Sequence, residues 1–98
     1  LDKGKVIDFG NKDDLFRKYC GKAVILCEEN NATKEIAKNH RQIAAPEGMI
    51  ALRCDEAEDE IVITEALSNV NVNYRRSNND IEIMTINAKA VYYRGGKR

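Results

Sequence analysis

Five carboxylates close the apolar runs in the first half of this chain. They are Asp8, then Glu28 and Glu29, then Asp55 and Glu56. If the strands that precede them are parallel, all five share one sheet edge, the edge at which open α/β sheets take their ligands. Clustered carboxylate oxygens suit a hard divalent cation, so calcium, magnesium or manganese is the cofactor this pattern would hold. The same residue types also end strands and cap helices, and non-adjacent strands would leave the acids ~10 Å apart. The run from Asp55 to Glu60 lacks the alternating ligands, the glycine and the distal glutamate of a calcium-binding loop. It reads as a solvated acidic turn.

A second group is basic. Arg75, Arg76, Arg94, Lys97 and Arg98 fall late in the chain, with Tyr92 and Tyr93 beside them. In an antiparallel meander the strands ending at Arg76 and Arg94 point the same way, which places this group on one edge. Arginine next to aromatic rings holds phosphate and stacks bases, and Asn69, Asn71 and Asn73 add hydrogen-bonding amides. The same surface, with Val91, Tyr92 and Tyr93 on an exposed last strand, suits pairing with another protein chain.

Nucleophilic chemistry has less to work with. Cys20, Cys27 and Cys54 are spaced too far apart for a metal hairpin or a redox pair. Cys27 and Cys54 lie in apolar runs, where a thiol behaves as a small hydrophobe. His40, the only histidine, is expected on the apolar face of a helix and not poised as a base. No glycine-rich phosphate loop is present. The stretch Val24-Ile25-Leu26-Cys27-Glu28, followed by a helix and later by Asp55, resembles the Toprim catalytic fold, which places a glutamate after its first strand and an Asp-x-Asp pair after a later one. Here Ala57 stands at the second position of that pair, and the interval is too short for the intervening strand and helix, so the resemblance assigns no activity.

Composition narrows the partners. Sixteen basic and sixteen acidic side chains balance, so no global field draws in nucleic acid or an anionic membrane. There is no apolar run of membrane-spanning length, and residues 1–5 do not read as a secretion signal. Reduced thiols and the absence of a leader predict a cytoplasmic setting. The hydrophobic content of 43% against 33% charged residues fits one compact core under a densely charged surface, and the 98 residues suffice for a single domain over 1–98.

The elements that must position these groups follow from periodicity. Residues 5–9 read as a strand. Asn11 is placed to cap a helix with Asp13 and Asp14 in its first turn, and Gly21 is placed to end it. Residues 23–27 form an uninterrupted apolar run, the mark of a strand covered on both faces. Asn30 or Asn31 caps a second helix with Ala32, Ile36, His40, Ile43 and Ala44 on its apolar side, stopped by Pro46 and Gly48. Residues 49–52 are another buried strand. Residues 5–54 thus read β-α-β-α-β. Short β runs over 61–64, 69–76, 81–86 and 89–94 complete an antiparallel meander over 61–94, with 95–98 as a tail. The predicted fold class is α+β, with helices packed on the sheet and one shared core. Without a motif for chemistry, the expected function is a small non-enzymatic protein-interaction module, possibly homodimeric. A divalent-cation site on the acidic edge is the second expectation, and a nucleic-acid contact on the basic edge the third.

Overall fold

The computed structural model describes residues 11–96, with side chains over 11–91. The strand expected at 5–9 lies outside the described residues. Eight elements follow in order: α1 (Lys12–Cys20), β1 (Ala23–Glu28), α2 (Asn31–Ala37), β2 (Arg41–Ile43), β3 (Met49–Cys54), α3 (Ala57–Asn69), β4 (Tyr74–Ser77) and α4 (Ile81–Gly96). The sheet order is β2-β3-β1-β4 with every neighbouring pair antiparallel. From β1 to β4 the chain is a split β-α-β arrangement, in which β3 inserts between β1 and β2. The α+β class stands, with helices on both faces of an antiparallel sheet.

The apolar run of β1 is explained by its two covers. Ala23, Ile25 and Cys27 face α2 and α3, where Ile50, Leu52, Cys54, Ala37, Ile63 and Leu67 complete one cluster. Val24 and Leu26 face α1 and α4, and join Phe16, Cys20, Ala51 and Ile83 in a second. Burying each of the large aliphatic side chains contributes about 1.5–3 kcal/mol, so the central strands β1 and β3 anchor the fold.

Local signals act as read in three places. Asn11 accepts the Asp14 N–H at 2.8 Å to start α1. Asn30 caps α2 in a box, its carboxamide accepting the Thr33 N–H while the Thr33 hydroxyl accepts the Asn30 N–H at 2.8 Å. The same hydroxyl, fully buried, donates to the Glu28 carbonyl at 2.7 Å and ties α2 to the end of β1. Gly21 ends α1 with its N–H on the Arg17 carbonyl.

Elsewhere the structure corrects the segment assignments. Residues 61–64 are helical, within α3, and residues 81–86 and 89–94 are helical, within α4. Of the expected meander only residues 74–77 are strand. The acidic run is not a free turn but leads into α3, in whose first turn Glu58, Asp59 and Glu60 meet the positive end of the helix dipole. The Asp59 carboxylate accepts the N–H groups of Asp55 and Glu56 at 3.0 and 2.9 Å. Ile63 and Leu67, four apart, then bury on one side. The second helix is shorter than expected. It stops at Ala37, tight turns carry the chain through His40, and Arg41–Ile43 joins the sheet as an edge strand. Pro46 and Gly48 therefore shape the β2–β3 loop instead of stopping a helix.

The alternation of valine and asparagine at residues 69–73 has another cause than a strand. Asn71 has φ +58°, a left-handed residue just past α3. Its N–H reaches the Ser68 carbonyl, the Val72 N–H reaches the Leu67 carbonyl, and Val72 packs on the cluster that holds Leu67. These are the paired bonds and apolar contact of a Schellman cap. Asn71→Gly is expected to leave stability unchanged or raise it slightly, whereas Asn71→Val should lower it by about 1–2 kcal/mol, the penalty of a side chain held in left-handed backbone. Urea midpoints of the two variants check this, and equal midpoints would contradict the cap.

Candidate functional site

The five acids do not meet. Because β1 and β3 are antiparallel, Glu28 lies opposite Met49 while Cys54, just before Asp55, lies opposite Ala23. Five residue steps at the antiparallel rise put the two acidic pairs ~17 Å apart, at opposite ends of the sheet. The shared carboxyl edge required parallel strands, and Asp8 lies outside the described residues. No group of three or more histidine, cysteine, aspartate or glutamate side chains among the described residues is arranged to hold a metal ion.

Asp55 instead bridges two arginines. It accepts from Arg53 Nε at 2.8 Å and from Arg41 Nη1 at 3.4 Å. Arg41 and Arg53 face each other across β2 and β3, so the carboxylate offsets a like-charge pair. Glu56 is the residue before α3 and gives its N–H to Asp59. Glu29 is exposed, its N–H on the Gly48 carbonyl.

The basic group is also redistributed. Arg75 and Arg76 lie on β4 and point to opposite faces of the sheet. Arg75 pairs with Asp80 at 3.1 Å, and Arg76 pairs with Glu60 of α3 at 2.7 Å. Asp80 caps α4 by accepting the Ile83 N–H. Burial acts to raise its carboxyl, but the bonds from Ile83 and Arg75 outweigh this and hold it below the usual range. Tyr92, Tyr93 and Arg94 belong to α4, so the exposed last strand expected there is absent. Lys97 and Arg98 lie outside the described residues. Asn69, Asn71 and Asn73 do not line one strand face either. Asn69 is in the last turn of α3, and the other two are in the connection to β4.

All three thiols are buried, Cys20 included, and none forms a disulfide. Burial pushes Cys20 and Cys54 up to about 11, and raises Cys27 as well. His40 sits in the turn after α2, near Lys38, Arg41, Arg53 and Asp55, and not on a helix face. A thiol reagent should therefore label none of the three cysteines in the native protein at pH 8, and all of them in urea. Because the folded state holds its thiols neutral, it keeps this stability below the unfolded thiol value and loses it as pH rises from about 9 through 11. For Cys20 and Cys54, both fully buried, the rise corresponds to at most roughly 3 kcal/mol each. Denaturant melts at pH 8 and pH 11 measure it, and Cys20→Ala with Cys54→Ala should flatten the difference.

One feature of the surface was not legible in the sequence. A cavity of about 500 Å³ opens at the end of β1, floored by Leu26, Cys27, Met49 and Val72. Its rim carries Glu28, Asn30, Asn71, Asn73, Tyr74 and Arg75. It exists because Glu28 extends β1 one residue past the start of β4, whose first residue lies opposite Cys27. The chain arriving from α3 diverges there and leaves a notch. Only the pairing register reveals it, although the density of asparagine at 69–73 was a hint.

The two edges of the sheet differ as well. At the β2 edge the Asn87 carboxamide accepts the Ala44 N–H at 2.9 Å and donates to the Ala44 carbonyl at 3.0 Å. The backbone just past β2 is thus occupied by a side chain of α4. At the other edge no described strand pairs beyond β4. Tyr74, Arg75 and Arg76 are exposed along it. No helix of the described chain is long and apolar enough to cross a membrane. No family model, no curated protein and no solved structure matches this chain.

Proposed function

We propose that this chain is a non-enzymatic protein-interaction module that self-associates by strand addition at β4, joining two sheets across a two-fold axis. The observation that carries this reading is the difference between the edges: the Asn87 carboxamide holds Ala44 just past β2, whereas no described strand pairs with the outer side of β4 along Tyr74–Ser77. An exposed edge strand presents unpaired N–H and C=O groups to another chain. A two-fold normal to the sheet matches residues of the same face, so one of the two arginines must lie near its own copy. Each guanidinium is already paired with a carboxylate of its own chain, Arg75 with Asp80 and Arg76 with Glu60, which offsets that like-charge contact. Exposed apolar side chains border the strand. Val70 and Ile81 flank it in sequence, and Ile61 follows the glutamate that holds Arg76.

Sedimentation across the micromolar to millimolar range, combined with hydrogen exchange, tests the proposal. The expected result is a reversible dimer in which the outward-facing amides of β4 exchange more slowly as concentration rises. A monomer throughout that range, or a dimer that leaves β4 exchange unchanged, overturns it.

A further inference from the structure

We infer that two copies pair in a single register, with Arg75 of each beside the two-fold axis and Tyr74 of each directly opposite Arg76 of the other. The register rests on the strand-addition reading and sets what the open edge selects in its partner. Ladder parity decides which backbone groups are free. The Glu29 N–H reaches the Gly48 carbonyl at 2.9 Å, one step past the Glu28–Met49 pair, so Ile25 and Cys27 bond β3 while Val24 and Leu26 bond β4. Arg75 and Ser77 therefore turn their backbone groups towards β1, and Tyr74 and Arg76 turn theirs to the open edge. The same alternation turns Ala44 outward at β2, where Asn87 holds both of its groups.

An axis at Tyr74 would need Val72 on the edge, but Val72 packs on the core and its N–H is bonded to the Leu67 carbonyl. An axis at Arg76 would need Asn78 opposite Tyr74, past the strand, where the chain turns and the Asn79 N–H reaches Ser77 Oγ. An axis at Arg75 keeps the bonded residues inside β4. Tyr74 and Arg76 then exchange both backbone bonds with Arg76 and Tyr74 of the second copy, twice what either alternative makes within the strand. Side chains favour the same register. Tyr74 and Arg76 share the α3 face, and Tyr74 is 42% exposed. Arg76 spends in-plane donors, on Nε and Nη2, on Glu60, which leaves the flat face of its guanidinium to a ring. On the other face the two Arg75 side chains meet, each with Asp80 of its own copy beside it. The edge thus selects a strand with a ring and a cation two residues apart, which a second copy of Tyr74-Arg75-Arg76 supplies.

Register-specific cross-linking tests the inference, in a chain whose own cysteines are buried. In Arg75→Cys the two new thiols stand on a non-hydrogen-bonded pair, about 4.5 Å apart at Cα and within disulfide reach. In Arg76→Cys they are offset by two residues along the strands, ~8 Å apart and beyond that reach. Under mild oxidation, at concentrations where the parent dimerises, Arg75→Cys should link about tenfold faster than Arg76→Cys or better. Tyr74→Ala and Arg76→Ala should each weaken the dimer about tenfold, through loss of a ring–cation contact on either side of the axis, and the double variant should lose little more. Tyr74→Phe should pair like the parent, and thermal melts establish that each variant is folded. Linking of Arg76→Cys as fast as Arg75→Cys, no linking of Arg75→Cys in a chain that dimerises, or parent-like association of folded Tyr74→Ala would overturn the register and leave strand addition standing. A parent that sediments as a monomer overturns strand addition, and the register with it.

Discussion

Gly21→Ala is expected to destabilise the protein by about 3 kcal/mol or more, from a strained backbone and a steric overlap acting together. Gly21 has φ +81° and ψ −162°, a combination essentially closed to residues with a side chain. A Cβ built there stands 2.7 Å from Arg53 Nε, 2.8 Å from Asp55 Oδ1 and 2.9 Å from Arg53 Cγ. Those atoms belong to the ion pair that also engages Arg41, so their withdrawal breaks that pair. The glycine is further fixed by a bridge to Cys54, and the next N–H, of Lys22, reaches the Cys54 carbonyl at 2.9 Å. A domain of this length has roughly 5–15 kcal/mol of stability, so the loss should appear as a large fall in the urea midpoint. Arg53→Ala combined with Asp55→Ala in the same background should recover the steric share and not the backbone share, a non-additivity that separates the two. A Gly21→Ala midpoint close to that of the parent would show that neither constraint operates.

The residues around Gly21 were readable from sequence because each signal there is local. Asn11, the aspartates at 13 and 14, and Gly21 bracket nine residues whose Phe16 and Cys20 fall one turn apart. The apolar runs at 23–27 and 49–52 needed no partner to be recognised either, since only cover on both faces explains them. The second half defeats such reading because two periods compete. Residues 81–86 set Ile81, Ile83, Met84 and Ile86 around only two polar residues, a short apolar run that passes for a strand, and the helical period passes through Asn87, which is polar yet 6% exposed. In α3 the β-branched run Ile61-Val62-Ile63-Thr64 argued for a strand, while burial of Ile63 and Leu67 against the sheet overrode propensity. The candidate sites fared according to topology. Whether five acids form one edge depends on strand direction, which a split arrangement reverses for β3 relative to β1. The notch depends on a one-residue offset in register, and no composition reports that.

The misleading asparagine supplies the other large effect. Asn87 is the buried residue through which α4 grips the far edge of the sheet. Its carboxamide bonds both backbone groups of Ala44 and also donates to the Ile83 carbonyl at 2.9 Å. Asn87→Leu keeps the branching and the number of heavy atoms and removes both partners of Ala44, leaving a half-buried N–H and C=O that the leucine also shields from water. Each orphaned group costs about 1–3 kcal/mol, so a total loss of about 3 kcal/mol is expected, with fast exchange of the Ala44 amide. Asn87→Asp gives a sharper reading. A protonated carboxyl can still accept from the Ala44 N–H and donate to its carbonyl, whereas a carboxylate sets two acceptors against each other. The folded state therefore raises the pKa of that aspartate. Its stability is fully present below the unfolded value near 3.9 and is lost as pH rises through the folded one. Denaturant melts of Asn87→Asp should show a deficit at pH 7 that narrows towards pH 3.5, relative to the parent at each pH. A deficit independent of pH would mean that the carboxamide's donor side does not face Ala44, and with that the account of the occupied edge would fall.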